Sequence, residues 1–165
     1  MKIHDIENIS SLLENDAKHA EELEKTGFWG KRGAGCFCYA KNTGKFLLLF
    51  RDSYVEQPHT WGLAGGAIDP QEDSKNAALR ELIEETSINA DPSQLHLIYT
   101  FEDKDSGFKY YNYLCILEEE ETPILNWENE NYGWFSLDNL PKPLHFGVEK
   151  FIHNTSVIET IRKIT

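Results

Sequence analysis

The chain has 165 residues, 40% hydrophobic and 27% charged, and carries a formal net charge of −12. That length suits one domain with a sizeable core, and the composition is that of an ordinary globular protein. So acidic a surface repels polyphosphate backbones at long range, which argues against a nucleic-acid partner, and no apolar run approaches the roughly 20 residues of a membrane span.

Residues 1–29 open without the basic start and long apolar centre of a secretory leader. Ile3, Ile6, Ile9, Leu12 and Leu13 recur in a helix-like pattern, and a second acidic piece ends at Leu23. The pattern predicts an N-terminal helical extension over 1–29, packed on the domain or used between the subunits of a homodimer. A break carrying Phe28 and Trp29 closes it, and one domain over 30–165 follows. Strands are predicted over 33–40 and 45–51, joined by a turn at 41–44. In the first, Cys36 and Cys38 alternate and point to one face as core residues. With Cys115 they are too few and too apolar in setting for a disulfide framework or a zinc site, so a reducing cytoplasm is the expected compartment. The second, KFLLLF, is a continuous apolar run, as in a strand covered on both faces. Arg51 at its end either faces a phosphate or lies on the surface, and a polar loop follows over 52–60.

The short apolar run 61–64 predicts a strand that ends in a turn at Gly65 and Gly66, where only small residues fit. Asp69 and Pro70 continue the loop, and Asp73 or Ser74 caps a helix. On that helix Glu81, Glu84 and Glu85 stand at i, i+3 and i+4, within about 100° of one another, together with Ala77 and Ile88. Leu79, Leu82, Ile83 and Thr86 form a core stripe on the other side. Glutamates at this spacing are ordinarily a solvated face, and their repulsion costs about a few tenths of a kcal/mol per pair. A strand, a glycine pair, a loop and an acidic helix in succession are instead a way of bringing backbone carbonyls and carboxylates to one point.

This stretch resembles the signature of the Nudix (MutT-like) hydrolase family. Gly66, Glu72, Arg80, Glu81, Leu82, Glu84, Glu85 and Ile88 stand in its register, and Ser87 replaces its last glycine. A glycine there takes the left-handed conformation that ends a helix. A serine does so at a cost, which makes Asn89 the alternative stop. Ala64 likewise stands where the family often has a proline. The resemblance implies magnesium, with manganese as a substitute, held by Glu81, Glu84, Glu85 and the carbonyl of Gly66. Such hard cations take oxygen ligands in octahedral geometry and keep several waters. Arg80 and Glu72 are then framework, with Arg80 orienting Glu84 from one turn earlier within the catalytic set. Gly65 and Gly66 line the substrate, and Arg51 is the side chain available to its phosphates.

After the helix Asp91 and Pro92 break the chain, and strands are predicted over 95–102 and 108–117 around a turn at 103–107. Four acids at 118–121 read as a solvated loop. Trp134 and Phe135 form a final short strand, 138–143 is a turn, and 145–164 is a closing helix with Val148, Phe151, Ile152 and Ile158 toward the core. Strands on both sides of an acidic helix, with another helix at the end, predict an α/β/α sandwich around a mixed β-sheet, and the resemblance implies the same architecture. It also implies magnesium-dependent hydrolysis of a nucleoside diphosphate linked to another group, by water attack on a phosphorus. Small nucleotides such as ADP-ribose, nucleotide sugars or nucleoside triphosphates are then the partners. The general base is either a glutamate of the signature or, on the later loop, Glu128 or Glu130. Tyr54, Phe108, Tyr110, Tyr111, Phe28 and Trp29 are rings able to stack a base, although aromatics on strands are more often core. A Nudix-fold module that binds or senses a nucleotide without turnover is the alternative, and the intact Glu84 and Glu85 pair speaks against it.

Overall fold

The structure, a computed structural model, describes residues 32–165. The helical extension expected over 1–29, with Phe28 and Trp29, lies outside the described residues. Strands β1 (Arg32–Ala40) and β2 (Lys45–Arg51) form where the apolar runs predict them. Their turn closes at Gly44, whose φ of 70° lies in the left-handed region that glycine takes without strain. Successive side chains of β2 point to opposite faces, and both faces are covered. Leu47 and Leu49 pack into one core, Phe46 and Leu48 into another.

Five more strands complete a seven-stranded sheet: β3 (Trp61–Gly62), β4 (Ala64–Ala67), β5 (Leu95–Asp103), β6 (Phe108–Leu117) and β7 (Asn129–Phe135). The path runs β3-β2-β1-β6-β5, with β4 also along β1 and β7 also along β2. β1 and β6 are parallel and the other pairs antiparallel, so the sheet is mixed. β7 is longer than the sequence predicts. Its polar first half pairs with β2, and the register slips so that Arg51 faces Asn129 while Phe50 faces Asn131. Glu130 is the extra residue of that bulge, a device that re-aims side chains beside it.

Helix α1 (Ser74–Thr86) covers one face of the sheet, over Ala34, Cys36, Cys38, Leu47 and Leu49. Helices α2 (Phe146–Ile152) and α3 (Thr155–Ile164) cover the other, over Phe37, Phe46, Leu48, Ile98 and Leu114. This is the α/β/α arrangement. The closing helix is broken rather than continuous, because Asn154 Oδ1 accepts from the backbone N–H groups of Ser156 and Val157 at 3.1 and 3.3 Å and starts a new helix. The break resets the helical phase, so Val157 and Ile161 take the buried line and Ile158 stays half-buried at its margin. Among the described residues no helix is long and apolar enough to cross a membrane.

Both ends of α1 have identifiable causes. Asp73, not Ser74, is the cap, its carboxylate accepting from Asn76 N at 2.8 Å, worth about 1 kcal/mol. At the other end Ser87 itself adopts the left-handed conformation, φ 61° and ψ 11°, and its N–H bonds Ile83 O at 2.9 Å. The helix therefore stops where the family's glycine stands, and Asn89 is not the stop. Ser87→Gly removes a penalty of about 1–2 kcal/mol for the left-handed region and adds about 0.5–1 kcal/mol of chain flexibility. The net expectation is a gain in Tm of about 2–3 °C by scanning calorimetry, with turnover unchanged.

Candidate active site

Two of the three carboxylates, Glu81 and Glu85, are not on a solvated face opposite the core, and Glu84 is. Helix α1 is buried over more than half its circumference: Ala77, Ala78, Leu79, Leu82 and Thr86 are buried together with Glu81 and Glu85. Ile83, expected in the core stripe, is exposed instead. The helix sits down on β1 and β4, and β4 gives it room by carrying glycines. Gly65 and Gly66 lie within that strand, paired with Gly35 and Ala34 of β1, and not in a turn. Their small size is needed for close approach, since a Cβ on Gly66 would stand 2.5 Å from Glu81 Oε1.

Glu85 is 1% exposed, and both of its oxygens are engaged. Oε2 accepts from Gly65 N at 2.6 Å, and Oε1 from Asn129 Nδ2 at 3.0 Å. Asn129, at the start of β7, escapes the sequence reading because a pair 44 residues apart leaves no local pattern. Glu84 points outward with half its side chain exposed. Arg80 ties the loop to the helix. Its Nε and Nη2 each donate to Glu72 at 2.9 Å, and Nη2 also donates to Ala67 O at 3.0 Å. Nη1 donates to Glu81 Oε1 at 3.0 Å and to Glu84 Oε1 at 3.3 Å. Arg80 thus contacts Glu72, Glu81, Glu84 and the Ala67 carbonyl at once.

Of the two later glutamates, the structure brings Glu128 to the cluster and leaves Glu130 out. Glu130 is exposed and faces His59 Nε2 at 3.8 Å. Glu128 sits among the acids, and burial raises its pKa despite the opposing charge of Arg51. Glu81 is pushed up to about 7, first by burial and then by Glu128, with Arg80 opposing. Glu85 is raised as well, by burial and then by Glu128 and Glu81. The site therefore forces carboxylates together where water screens them poorly, a strained arrangement that a cation relieves.

Arg51 ends β2, its Nε donating to Glu56 O at 2.8 Å. Its charge acts on Glu128, on Tyr110 and on His145. Tyr110 stays a phenol, because burial and the nearby Glu85 and Glu81 raise its pKa.

The donor set is hard oxygen, which is what magnesium or manganese takes. As placed, Arg80 Nη1 occupies the gap between Glu81 and Glu84, and among the described residues no three acidic, histidine or cysteine side chains stand together at ligand spacing. Glu84, with half its side chain exposed, is the acid of the three whose side chain is free to change direction.

The NUDIX domain description matches residues 30–155. The asymmetrical bis(5'-nucleosyl)-tetraphosphatase of Caenorhabditis elegans is 33% identical over 118 residues, 67% of this chain and 83% of that protein. Human diphosphoinositol polyphosphate phosphohydrolase 2 is 29% identical over 126 residues, 73% of this chain but only 65% of that protein. A crystal structure of a C. elegans Ap4A hydrolase binary complex superposes with a TM-score of 0.59 at 25% identity, over 80% of this chain and 96% of that one. A family match over most of the chain, with the signature in register on α1, leaves one reading: the chain belongs to the Nudix family of hydrolases.

Proposed function

We propose that residues 30–165 hydrolyse the diphosphate linkage of a small nucleotide in the presence of magnesium or manganese. The observation that carries this reading is the burial of Glu85 beside Glu81 and Glu128, with both Glu85 oxygens fixed by donors from β4 and β7. Ionised groups are crowded in this way where their chemistry is used. Glu81, Glu84 and Glu85, with the carbonyl of Gly66, hold the cation, which supplies charge neutralisation of the diphosphate and a more acidic water. Arg80 holds Glu81 and Glu84 in orientation. Glu128 takes the proton of the attacking water, its raised pKa bringing it nearer the operating range of a general base. Arg51 meets a phosphate from the sheet side. The three free, buried thiols of Cys36, Cys38 and Cys115 suit a reducing cytoplasm.

A nucleotide fits better than an inositol pyrophosphate. A substrate carrying a phosphate on nearly every carbon needs several cations around it, and here Arg51 is the basic group whose charge reaches the cluster from the sheet, in a chain of net charge −12. The relative with the higher identity acts, by its name, on a dinucleoside tetraphosphate. The test is a panel of diadenosine tetraphosphate, ADP-ribose, UDP-glucose, ATP and a diphosphoinositol polyphosphate with magnesium, followed by anion-exchange chromatography. Turnover of at least one nucleotide, abolished by chelator, is expected, with the inositol compound intact. Inactivity on every nucleotide in magnesium and in manganese, with a Tm shift from one of them, would establish the sensing alternative instead.

A further inference from the structure

Tyr110 of β6 lies on a floor of glycines from two other strands. A Cβ on Gly33 would stand 2.7 Å from its Cδ2, one on Gly35 would stand 2.6 Å from its Oη, and one on Gly65 would overlap that same oxygen. Three positions are thus kept free of side chains along the length of one ring. Among the described residues the oxygen at the end of that ring has no hydrogen-bond partner. Every fully buried side-chain N or O atom among the described residues does have one, so this oxygen is not sealed inside the core. Tyr113, on the same strand, contrasts with it: its hydroxyl pairs with Ser74 Oγ at 2.5 Å.

The place where Tyr110 Oη ends is informative. It abuts Gly65, whose N–H is bonded to Glu85, and it lies within the fields of Glu85, Glu81 and Arg51. A neutral donor against Gly65, within the field of Arg51 and next to the strand that holds Glu85, matches what an anion held against those carboxylates presents to the sheet. We propose that Tyr110 Oη donates a hydrogen bond to a phosphoryl oxygen of the substrate's diphosphate, acting with Arg51 as the protein's side of the clamp. This rests on the hydrolase reading above and names a substrate-binding residue within it.

Tyr110→Phe tests it cleanly, since the ring and its glycine seat are retained and one oxygen is removed. The readouts are Tm, kcat and KM on the nucleotide turned over by the wild type, and calorimetric Kd for α,β-methylene-ADP with magnesium. The expected result is an unchanged or higher Tm, with KM and Kd each raised about tenfold or more, the effect of a lost hydrogen bond to a charged group. KM and Kd within about twofold of wild type, or a Tm lowered by several degrees, would overturn the proposal, the latter by revealing a structural role. A wild type that binds the analogue but hydrolyses nothing removes the hydrolase reading and still decides Tyr110 through Kd. A wild type that neither binds nor hydrolyses any nucleotide overturns both.

Discussion

Glu85→Gln is expected to lower kcat by about a hundredfold or more while leaving Tm unchanged or slightly higher. The two effects separate because the glutamine keeps the shape and loses the charge. One amide oxygen still accepts from Gly65 N–H, and Asn129 can turn its own amide to present oxygen to the new Nε2. Removing one of the buried negative charges also relieves the repulsion that raises the pKa of Glu81 and acts on Glu85 from Glu128. The lost charge is the one a divalent cation would use most, because the Glu85 carboxylate is already immobilised at both oxygens. Glu84→Gln should lose turnover to a similar degree through a different route, since Glu84 is exposed and contributes little to the fold. Glu130→Gln, whose side chain faces His59 away from the cluster, should stay within about twofold of wild type. Steady-state kinetics at saturating magnesium, with scanning calorimetry on the same preparations, checks all three. Near-wild-type kcat in Glu85→Gln would remove it from the ligand set.

The glycine pair offers the second large effect, and its two members should fail differently. At Gly65 a Cβ would stand 2.7 Å from Ala34 O and 2.8 Å from Gly35 Cα, both backbone atoms of β1. The strands must separate to admit it, so Gly65→Ala is expected to cost about 3 kcal/mol, a fall in Tm of roughly 6–12 °C. At Gly66 the atoms in the way are Oε1 and Cδ of Glu81, at 2.5 and 2.8 Å. The end of a side chain can rotate out of the way, so Gly66→Ala should leave Tm within about 3 °C. It moves the Glu81 carboxylate, and kcat should fall by about tenfold or more. Equal loss of Tm in the two variants, or a stable Gly65→Ala, would show that the packing of β4 on β1 is looser than the structure has it.

Reading glycine as a turn signal fails here for a physical reason. Glycine is selected both where the backbone must take positive φ and where two groups must approach closely, and a local sequence does not distinguish them. Gly44 is the first kind and Gly65 the second. Ile83 shows a related limit. Helical periodicity orders the side chains around an axis, but it does not say how wide an arc the sheet will bury, and here the arc includes Glu81 and Glu85 while leaving Ile83 outside. The break at Asn154 was open to inspection in the sequence, since asparagine is a good cap, yet the apolar spacing on either side runs on without interruption. Ser87 was legible as a departure from the family's glycine, and the structure shows the helix taking the left-handed exit despite it.

By itself the sequence determined the family and the shared helix of its three acids. Glu81, Glu84 and Glu85 lie within one turn and a half of a single helix, so their common setting follows from 3.6 residues per turn, and the runs in β1 and β2 set the sheet by their alternation and apolarity. Tertiary structure alone decided which later carboxylate joins them, through a one-residue bulge in β7 that separates Glu128 from Glu130. It also decided that Asn129 locks Glu85 and that Tyr110 ends beside Gly65. Those contacts join strands and helices distant along the chain, and strand register and packing, which no local spacing encodes, bring them together.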